Sequence, residues 1–102
     1  MVSVVATIKI KPGTRESFLE HFLELVPTVL AENGCIEYFP AVDAETGMDV
    51  QARDADAVTV IEKWESVEAL KAHLAAPHMD TFREKVADIV TDLTVKVLTP
   101  AT

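Results

Sequence analysis

The chain is poor in cysteine and has no long apolar run, and each shortage excludes a class of protein. Cys35 is the only cysteine among 102 residues, so no disulfide can form within the chain. Its neighbours include Glu37 and no cation, which argues against a reactive thiolate and favours a buried thiol. No apolar stretch reaches the roughly 20 residues that span a bilayer, and residues 1–5 lack the pattern of a secretory signal. We therefore expect a cytoplasmic protein without a membrane partner.

Positive charge is also scarce. Lys and Arg number 9 against 17 Asp and Glu, which gives a formal net charge of −8. Such a chain repels nucleic-acid phosphates and anionic lipid headgroups at long range, so we expect no nucleic-acid partner. Apolar residues make up 49% and charged residues 25%, as in globular proteins. At this length we expect one domain over residues 1–102.

Apolar periodicity predicts the order strand, helix, strand, strand, helix, strand. The predicted elements are a strand over 2–11, a helix from Thr14 to Leu30, strands over 35–42 and 57–64, a helix from Ser66 that restarts at Pro77 and continues through Val90, and a last strand with Leu93, Val95 and Val97. This is the βαββαβ order of a ferredoxin-like α+β fold with an antiparallel sheet. Its helices cover one sheet face, and a second subunit is expected on the other, which carries Thr7, Ile61 and Lys63.

The segment from the third strand into the following helix holds the candidate site. Glu62 and Trp64 share one face of that strand with valines, where a carboxylate needs a cavity or a partner. We expect the pair to line a pocket, although an indole by itself is more often core packing. His73 lies beside the apolar stripe of Val67, Leu70 and Leu74. It can exchange a proton or simply hydrogen-bond a carboxylate.

A metal site is not expected from the histidine spacing. His73 and His78 are five residues apart, which points them about 140° from one another on a continuous helix. Pro77 disrupts the register further. His78 is expected to be more exposed than His73 and to have at most a minor role in binding substrate.

The chain resembles the antibiotic biosynthesis monooxygenase family. The resemblance is carried by Glu62-x-Trp64-x-Ser66-x-x-Ala69-Leu70-x-x-His73, by Pro77-His78-Met79 with Phe82, and by the Asn33-Gly34 turn into the second strand. It implies a homodimer joined through its sheets into an α+β barrel, and often oxygenation of quinols or polycyclic phenols without a cofactor. Val60 replaces an asparagine of the polyketide-tailoring branch. Ala6 and Thr7 replace an asparagine of the haem-degrading branch, so we expect no haem.

These observations lead to one main hypothesis and two alternatives. The main one is a cofactor-independent monooxygenase that oxidises a small aromatic substrate with dioxygen. In it, His73 or Glu62 takes the phenolic proton, Trp64 walls the pocket, and Tyr38 hydrogen-bonds a substrate oxygen. The alternatives are an isomerase of a small polyoxygenated carbonyl compound and a non-enzymatic, stress-associated dimer that binds a small ligand. A shared fold does not separate the three, because one fold hosts many functions.

Overall fold

The computed structural model describes all 102 residues and has the expected α+β architecture. The elements are β1 (Val2–Ile10), α1 (Arg15–Leu30), β2 (Cys35–Ala41), β3 (Ala57–Trp64), α2 (Val67–Leu74), α3 (Pro77–Val86) and β4 (Val90–Leu98). The strands form one antiparallel sheet in the order β2-β3-β1-β4. The ferredoxin-like fold is therefore confirmed.

The two faces of the sheet differ as the alternation in β1 predicts. Val4, Ala6 and Ile8 are buried beneath the helices, and their partners on β3 include the buried Val58 and Val60. The opposite face carries the next residues in the alternation, including Thr7 and Ile61, which are only partly buried. The core therefore lies between the sheet and the helices. None of the helices is both long and apolar enough to cross a bilayer.

Helix α1 begins after Thr14, but the side chain of Thr14 does not cap the helix. The Thr14 hydroxyl donates to the Lys11 carbonyl at 2.6 Å and caps no helical N–H. Four apolar residues on one side of the helix are buried: Phe18, Phe22, Leu25 and Val29. Pro27 lies inside the last turns, where its ring nitrogen cannot donate a hydrogen bond. The helix ends at Leu30.

Helix α2 is rotated relative to the predicted apolar stripe. Ser66 caps it as expected, since its hydroxyl accepts the Ala69 N–H at 3.1 Å. Leu70 and His73 are its buried residues, whereas Val67 and Leu74 are exposed. The prediction that these two join the core stripe was wrong. His73 instead faces the protein interior.

The last helix is shorter than its apolar pattern predicts. Pro77 opens α3 as expected, but the helix ends at Val86, and Val90 already pairs with Ile10 as part of β4. The Lys11 N–H donates to the Ile89 carbonyl at 2.9 Å. Continuation of the helix through Val90 was therefore wrong, because pairing with β1 determines the conformation there.

Candidate active site

A single apolar cavity lies between the sheet and the helices. Its volume is about 280 Å³, and 17 of its 20 lining residues are hydrophobic. The three others are Glu62, His73 and Arg83. The lining residues of β4, Leu93, Val95 and Val97, remain 56%, 50% and 48% exposed, so the cavity opens on that side. Such a site suits a largely apolar molecule with a few oriented polar groups.

His73 is the most buried polar residue of this cavity, with 1% of its surface exposed. Its ring centroid lies 4.6 Å from that of Trp64, at an interplanar angle of 34°, and 5.4 Å from that of Tyr38 in an edge contact. Packing on two aromatic rings leaves the imidazole little freedom to rotate. The ring is therefore held in one orientation at the cavity wall.

Glu32 is the hydrogen-bond partner of His73. The Oε2 atom of Glu32 lies 2.8 Å from Nδ1 of His73, and also 2.8 Å from Nε2 of His78. An ionised carboxylate only accepts hydrogen bonds, so both histidines donate to it. Neutral His73 then carries its proton on Nδ1, which leaves the lone pair of Nε2 available at the cavity. The arrangement matches a base oriented by a carboxylate.

The turn after α1 places Glu32 against α2. Gly34 in this turn has φ +86°, a left-handed conformation that glycine adopts readily. A Cβ atom added there would lie 2.6 Å from Cβ of Ala69, which is too close. The Gly34 carbonyl also accepts the Glu65 N–H at 2.8 Å. This glycine thus allows the close approach that brings Glu32 to His73.

Glu62 and Trp64 form a second buried pair. Nε1 of Trp64 donates to Oε1 of Glu62 at 2.9 Å, and Trp64 has no exposed surface. Burial raises the pKa of the Glu62 carboxyl above its ordinary value, and the charge of Glu32 adds to this effect. The Trp64 hydrogen bond and the proximity of His73 oppose it. Glu62 is thus a carboxyl group that holds its proton more tightly than usual.

Two other titratable side chains near the site are poor nucleophiles. Burial raises the pKa of Tyr38 well above its usual range, with smaller contributions from the charges of Glu62 and Glu32. Tyr38 therefore stays a neutral hydrogen-bond donor in the cavity lining. Burial and the same two carboxylates raise the pKa of Cys35 to about 11. The thiol is consequently not activated, as its sequence neighbours indicate.

Arg83 is the one cationic residue of the cavity lining. Its guanidinium donates to Asp80 at 3.1 Å and to the Leu74 carbonyl at 3.0 Å, and its side chain is 47% exposed. These contacts hold Arg83 across α2 and α3. Because both terminal nitrogens of Arg83 already donate hydrogen bonds within the protein, Arg83 does not form a binding site for a phosphate group.

The predicted site residues are brought together only in part. Glu62, His73 and Tyr38 line the cavity, whereas Trp64 and His78 do not. Trp64 is fully buried on β3 and contacts both Glu62 and His73, so it supports two cavity residues from the side away from the cavity. His78 lines a separate groove with His21 and Glu24 and reaches the site only through Glu32.

His73 and His78 lie close together, although their spacing on a continuous helix would point them apart. His73 ends α2 and His78 begins α3, so they belong to separate helices with different axes. Together with Glu32 they place one ligand atom each within 4.8 Å of one another. This donor set is able to hold a metal ion.

Sequence reasoning did not identify Glu32 or Arg83. Glu32 follows a helix end and looks like an ordinary surface carboxylate. The one local signal near it is the Asn33-Gly34 turn, which predicts a sharp change of chain direction. The pairing with a residue 41 positions away needed the tertiary structure.

Comparison with known proteins gives a consistent result. The family model described as antibiotic biosynthesis monooxygenase matches residues 1–85. The chain is 40% identical to the probable quinol monooxygenase YgiN of Escherichia coli K12, with 98% of each chain covered. A putative antibiotic biosynthesis monooxygenase from Nitrosomonas europaea has the same fold, with a TM-score of 0.83, 17% identity and full coverage of both chains.

A third similarity concerns Rv0793 from Mycobacterium tuberculosis. Its structure has a TM-score of 0.80 and 25% identity, and the match covers 99% of this chain and 95% of that one. The family model spans most of the sequence, including Glu62, Trp64 and His73. On these grounds the chain belongs to the antibiotic biosynthesis monooxygenase family.

Proposed function

We propose that this chain is a cofactor-independent monooxygenase that oxidises a small quinol with dioxygen. The observation that carries the proposal is the Glu32–His73 hydrogen bond, which leaves Nε2 as the free acceptor of a histidine that lines a largely apolar cavity. A quinol needs only deprotonation to become electron-rich enough to reduce dioxygen. The protein then has to supply a base, orientation and a site that excludes water.

The reaction balances without any other reactant. His73 takes a phenolic proton, and the phenolate transfers electrons to dioxygen, so that a C–O bond forms at the adjacent ring carbon. Return of the proton gives a ring hydroperoxide. Loss of the hydrogen on that carbon, with cleavage of the O–O bond, releases water and leaves a carbonyl group. One oxygen atom enters the product and the other becomes water, while the quinol becomes a hydroxylated quinone.

Each polar group of the cavity has a role in this scheme. Glu32 orients His73 and stabilises the imidazolium that forms after proton transfer. Glu62, whose pKa is raised by burial, lies in the cavity lining and hydrogen-bonds a substrate oxygen when it carries its proton. Tyr38 is a second donor for the oxygen atoms of the ring. Trp64 acts from behind the cavity by holding Glu62 and His73 in place.

The cavity favours a small quinol over the alternative substrates. A volume of about 280 Å³ is at the lower end for ligand sites, which favours one or two fused rings over a larger polycyclic phenol. The predominantly apolar lining is unfavourable for a polyoxygenated carbonyl compound. Arg83, already paired with Asp80, offers little for a phosphate group. The relative that is 40% identical carries the name probable quinol monooxygenase, which also supports this substrate class.

We further propose that the protein works as a homodimer in the cytoplasm. Val5, Ile61 and Phe39 are register partners in a row across the sheet face that the helices leave uncovered. Phe39 is 44% exposed there. Covering this row with a second copy would remove apolar surface from water. The cytoplasmic location is supported by the lone Cys35, which fits a reducing compartment.

Oxygen uptake on a panel of one- and two-ring quinols tests the proposed reaction. With ¹⁸O₂, the product should contain one labelled oxygen atom, and the released water the other. His73→Ala should lower turnover by about 10² or more, the usual loss for a general base. His21→Ala is the matched control, because His21 lies in the separate groove. Hydrogen peroxide formation without label in the product would contradict monooxygenation, and an inactive wild type on the whole panel would contradict the substrate class.

A further inference from the structure

Three donor atoms from three parts of the chain meet beside the cavity. Glu32 comes from the turn after α1, His73 from the end of α2 and His78 from the start of α3. Oε2 of Glu32 lies 2.8 Å from a ring nitrogen of each histidine. All three donor atoms lie within 4.8 Å of one another. Two imidazole nitrogens and one carboxylate oxygen form a donor set that binds Zn²⁺ and related ions in proteins.

We propose that Glu32, His73 and His78 form a binding site for a divalent transition-metal ion such as Zn²⁺. We further propose that the bound ion prevents His73 from acting as a base, because Nε2 then carries a proton. Tetrahedral ligands at zinc distances are about 3.4 Å apart. Glu32 must therefore withdraw by roughly half an ångström from each histidine, and the two histidine nitrogens, up to 4.8 Å apart, must approach one another, with His78 moving because His73 is held by its aromatic neighbours. The flexible glutamate side chain, 14% exposed, permits this movement. The ion replaces the two ring protons that His73 and His78 donate to the Glu32 carboxylate.

Charge and access favour a cation at this position. The only ion-pair partners of Glu32 are the two histidines, so no Lys or Arg competes for the carboxylate. The whole chain carries a net charge of −8. His78 is 28% exposed at its side chain and lines a groove of about 250 Å³ that gives a path from solvent. An ion can therefore reach the cluster without passing through the cavity.

Occupancy changes which nitrogen of His73 carries a proton. In the hydrogen-bonded state, Nδ1 donates to Glu32 and Nε2 is the free acceptor. An ion on Nδ1 needs the lone pair of that nitrogen, so neutral His73 must carry its proton on Nε2 instead. Nε2 then donates and no longer accepts. This second part of the proposal rests on the proposed function, whereas ion binding does not.

Calorimetry on the full chain tests the site independently of activity. The full chain, without any added histidine tag, is treated with a chelator before titration with zinc chloride. We expect one Zn²⁺ per chain for the wild type and no saturable binding of Mg²⁺, which prefers oxygen ligands. His78→Gln and Glu32→Gln should each weaken zinc binding by more than about 100-fold, because a lost ligand costs more than a lost second-shell partner. His21→Gln should bind zinc like the wild type.

Several outcomes would overturn the site. These are no saturable zinc binding by the wild type, wild-type affinity in both ligand variants, or a loss in His21→Gln as large as that in the ligand variants. Imidazole ¹⁵N spectra provide a second readout, since the spectrum of His73 should change from the Nδ1–H to the Nε2–H form when zinc is added. A spectrum of His73 that does not change at saturating zinc would contradict coordination by Nδ1.

Turnover with and without zinc tests the consequence for the base. The turnover rate of the wild type should fall over the range of zinc concentrations that saturates the site. At those concentrations, His78→Gln should turn over as fast as it does after chelator treatment without zinc. Full wild-type activity at saturating zinc would overturn the loss of the base. Absence of turnover even in chelator would instead count against the proposed function, and calorimetry would still decide whether the site binds zinc.

Discussion

Oε2 of Glu32 lies 2.8 Å from Nδ1 of His73, although 41 residues separate the two positions in the chain. The contact exists because Gly34 lets the turn after α1 pack directly against Ala69 of α2. It fixes both the orientation and the proton position of the imidazole. The same carboxylate also holds His78, so one side chain ties the ends of three helices together.

Replacing Glu32 with Gln should reduce turnover far more than stability. A glutamine amide can donate to Nδ1 of His73, which favours the tautomer with its proton on Nε2 and removes the free lone pair. The comparable loss of an orienting carboxylate in serine proteases costs about 10⁴ in kcat, so we expect a fall of about 10² to 10⁴ with little change in KM. Steady-state oxygen uptake measures this effect.

Glu24→Gln is the matched control for the Glu32 variant. Glu24 also lies on the α1 side of the molecule, and its loss removes the same charge, but it lines the separate groove and has no contact with His73. This control should keep wild-type kcat. Turnover of Glu32→Gln within twofold of the wild type would mean that His73 is not oriented through Glu32.

Glu62→Gln should change how stability depends on pH. The folded-state pKa of Glu62 is raised above its ordinary value of 4.5, so the folded protein binds this proton more tightly than the unfolded chain. The resulting stabilisation is fully present below pH 4.5 and is lost as pH rises through the raised value. The free energy of unfolding of the wild type, relative to Glu62→Gln, should therefore decrease over this range.

Urea unfolding of both proteins at a series of pH values measures that difference. Each unit of pKa shift corresponds to about 1.4 kcal/mol. Glutamine keeps a carbonyl oxygen that accepts the Trp64 N–H, so the comparison isolates the titration of the carboxyl group. Parallel stability profiles for the two proteins above pH 4.5 would show that burial does not raise this pKa.

The uncovered sheet face should form the interface of a homodimer. Ile61→Glu places a charge in the middle of the apolar row that it shares with Val5 and Phe39. A symmetric interface would contain this charge twice, so the dimer dissociation constant should rise at least about 100-fold. Equilibrium sedimentation of the wild type at micromolar concentration should show a dimer. Val50→Glu is the control, since Val50 is an exposed loop residue.

Either of two results would contradict this interface. A wild-type monomer at micromolar concentration would exclude the dimer. An Ile61→Glu variant that remains dimeric would place the interface elsewhere, and the exposed apolar residues of β4 would become the next surface to test.

The sequence predicts the strands well because their signal is local. Alternation of apolar and polar residues at period two assigns Val4, Ala6 and Ile8 to one face, and the structure buries them. The end of α3 was missed because Val86, Ile89 and Val90 are apolar at a spacing that fits a continued helix. Val90 pairs with Ile10 of β1, which is distant in sequence, and this pairing places Val90 in a strand rather than in a helix.

The site was predictable only where its residues share a strand or helix. Glu62 and Trp64 are two positions apart on β3, and their buried pairing follows from that spacing. His73 is more deeply buried than its position beside the apolar stripe predicts, because it packs against Trp64 and Tyr38, which lie on other elements. Glu32 was missed for a related reason: its role depends on a turn that packs against a distant helix.

Trp64→Phe should affect both stability and the titration of Glu62. The ring remains apolar, but Oε1 of Glu62 loses its buried donor, which costs about 1–3 kcal/mol of unfolding free energy. That hydrogen bond also favours the charged carboxylate, so its loss should raise the pKa of Glu62 further. Carboxyl ¹³C shifts followed against pH measure this change directly, and thermal unfolding measures the stability.

Val58→Ala is the control that separates these effects from simple loss of core packing. Val58 is fully buried on the same face of β3 and does not line the cavity, so it should lower stability without moving the pKa of Glu62. If Trp64 holds the site in place, Trp64→Phe should also lower kcat per folded molecule, whereas Val58→Ala should not. If the pKa of Glu62 and kcat per folded molecule were the same in Trp64→Phe and Val58→Ala, Trp64 would contribute only packing to the core.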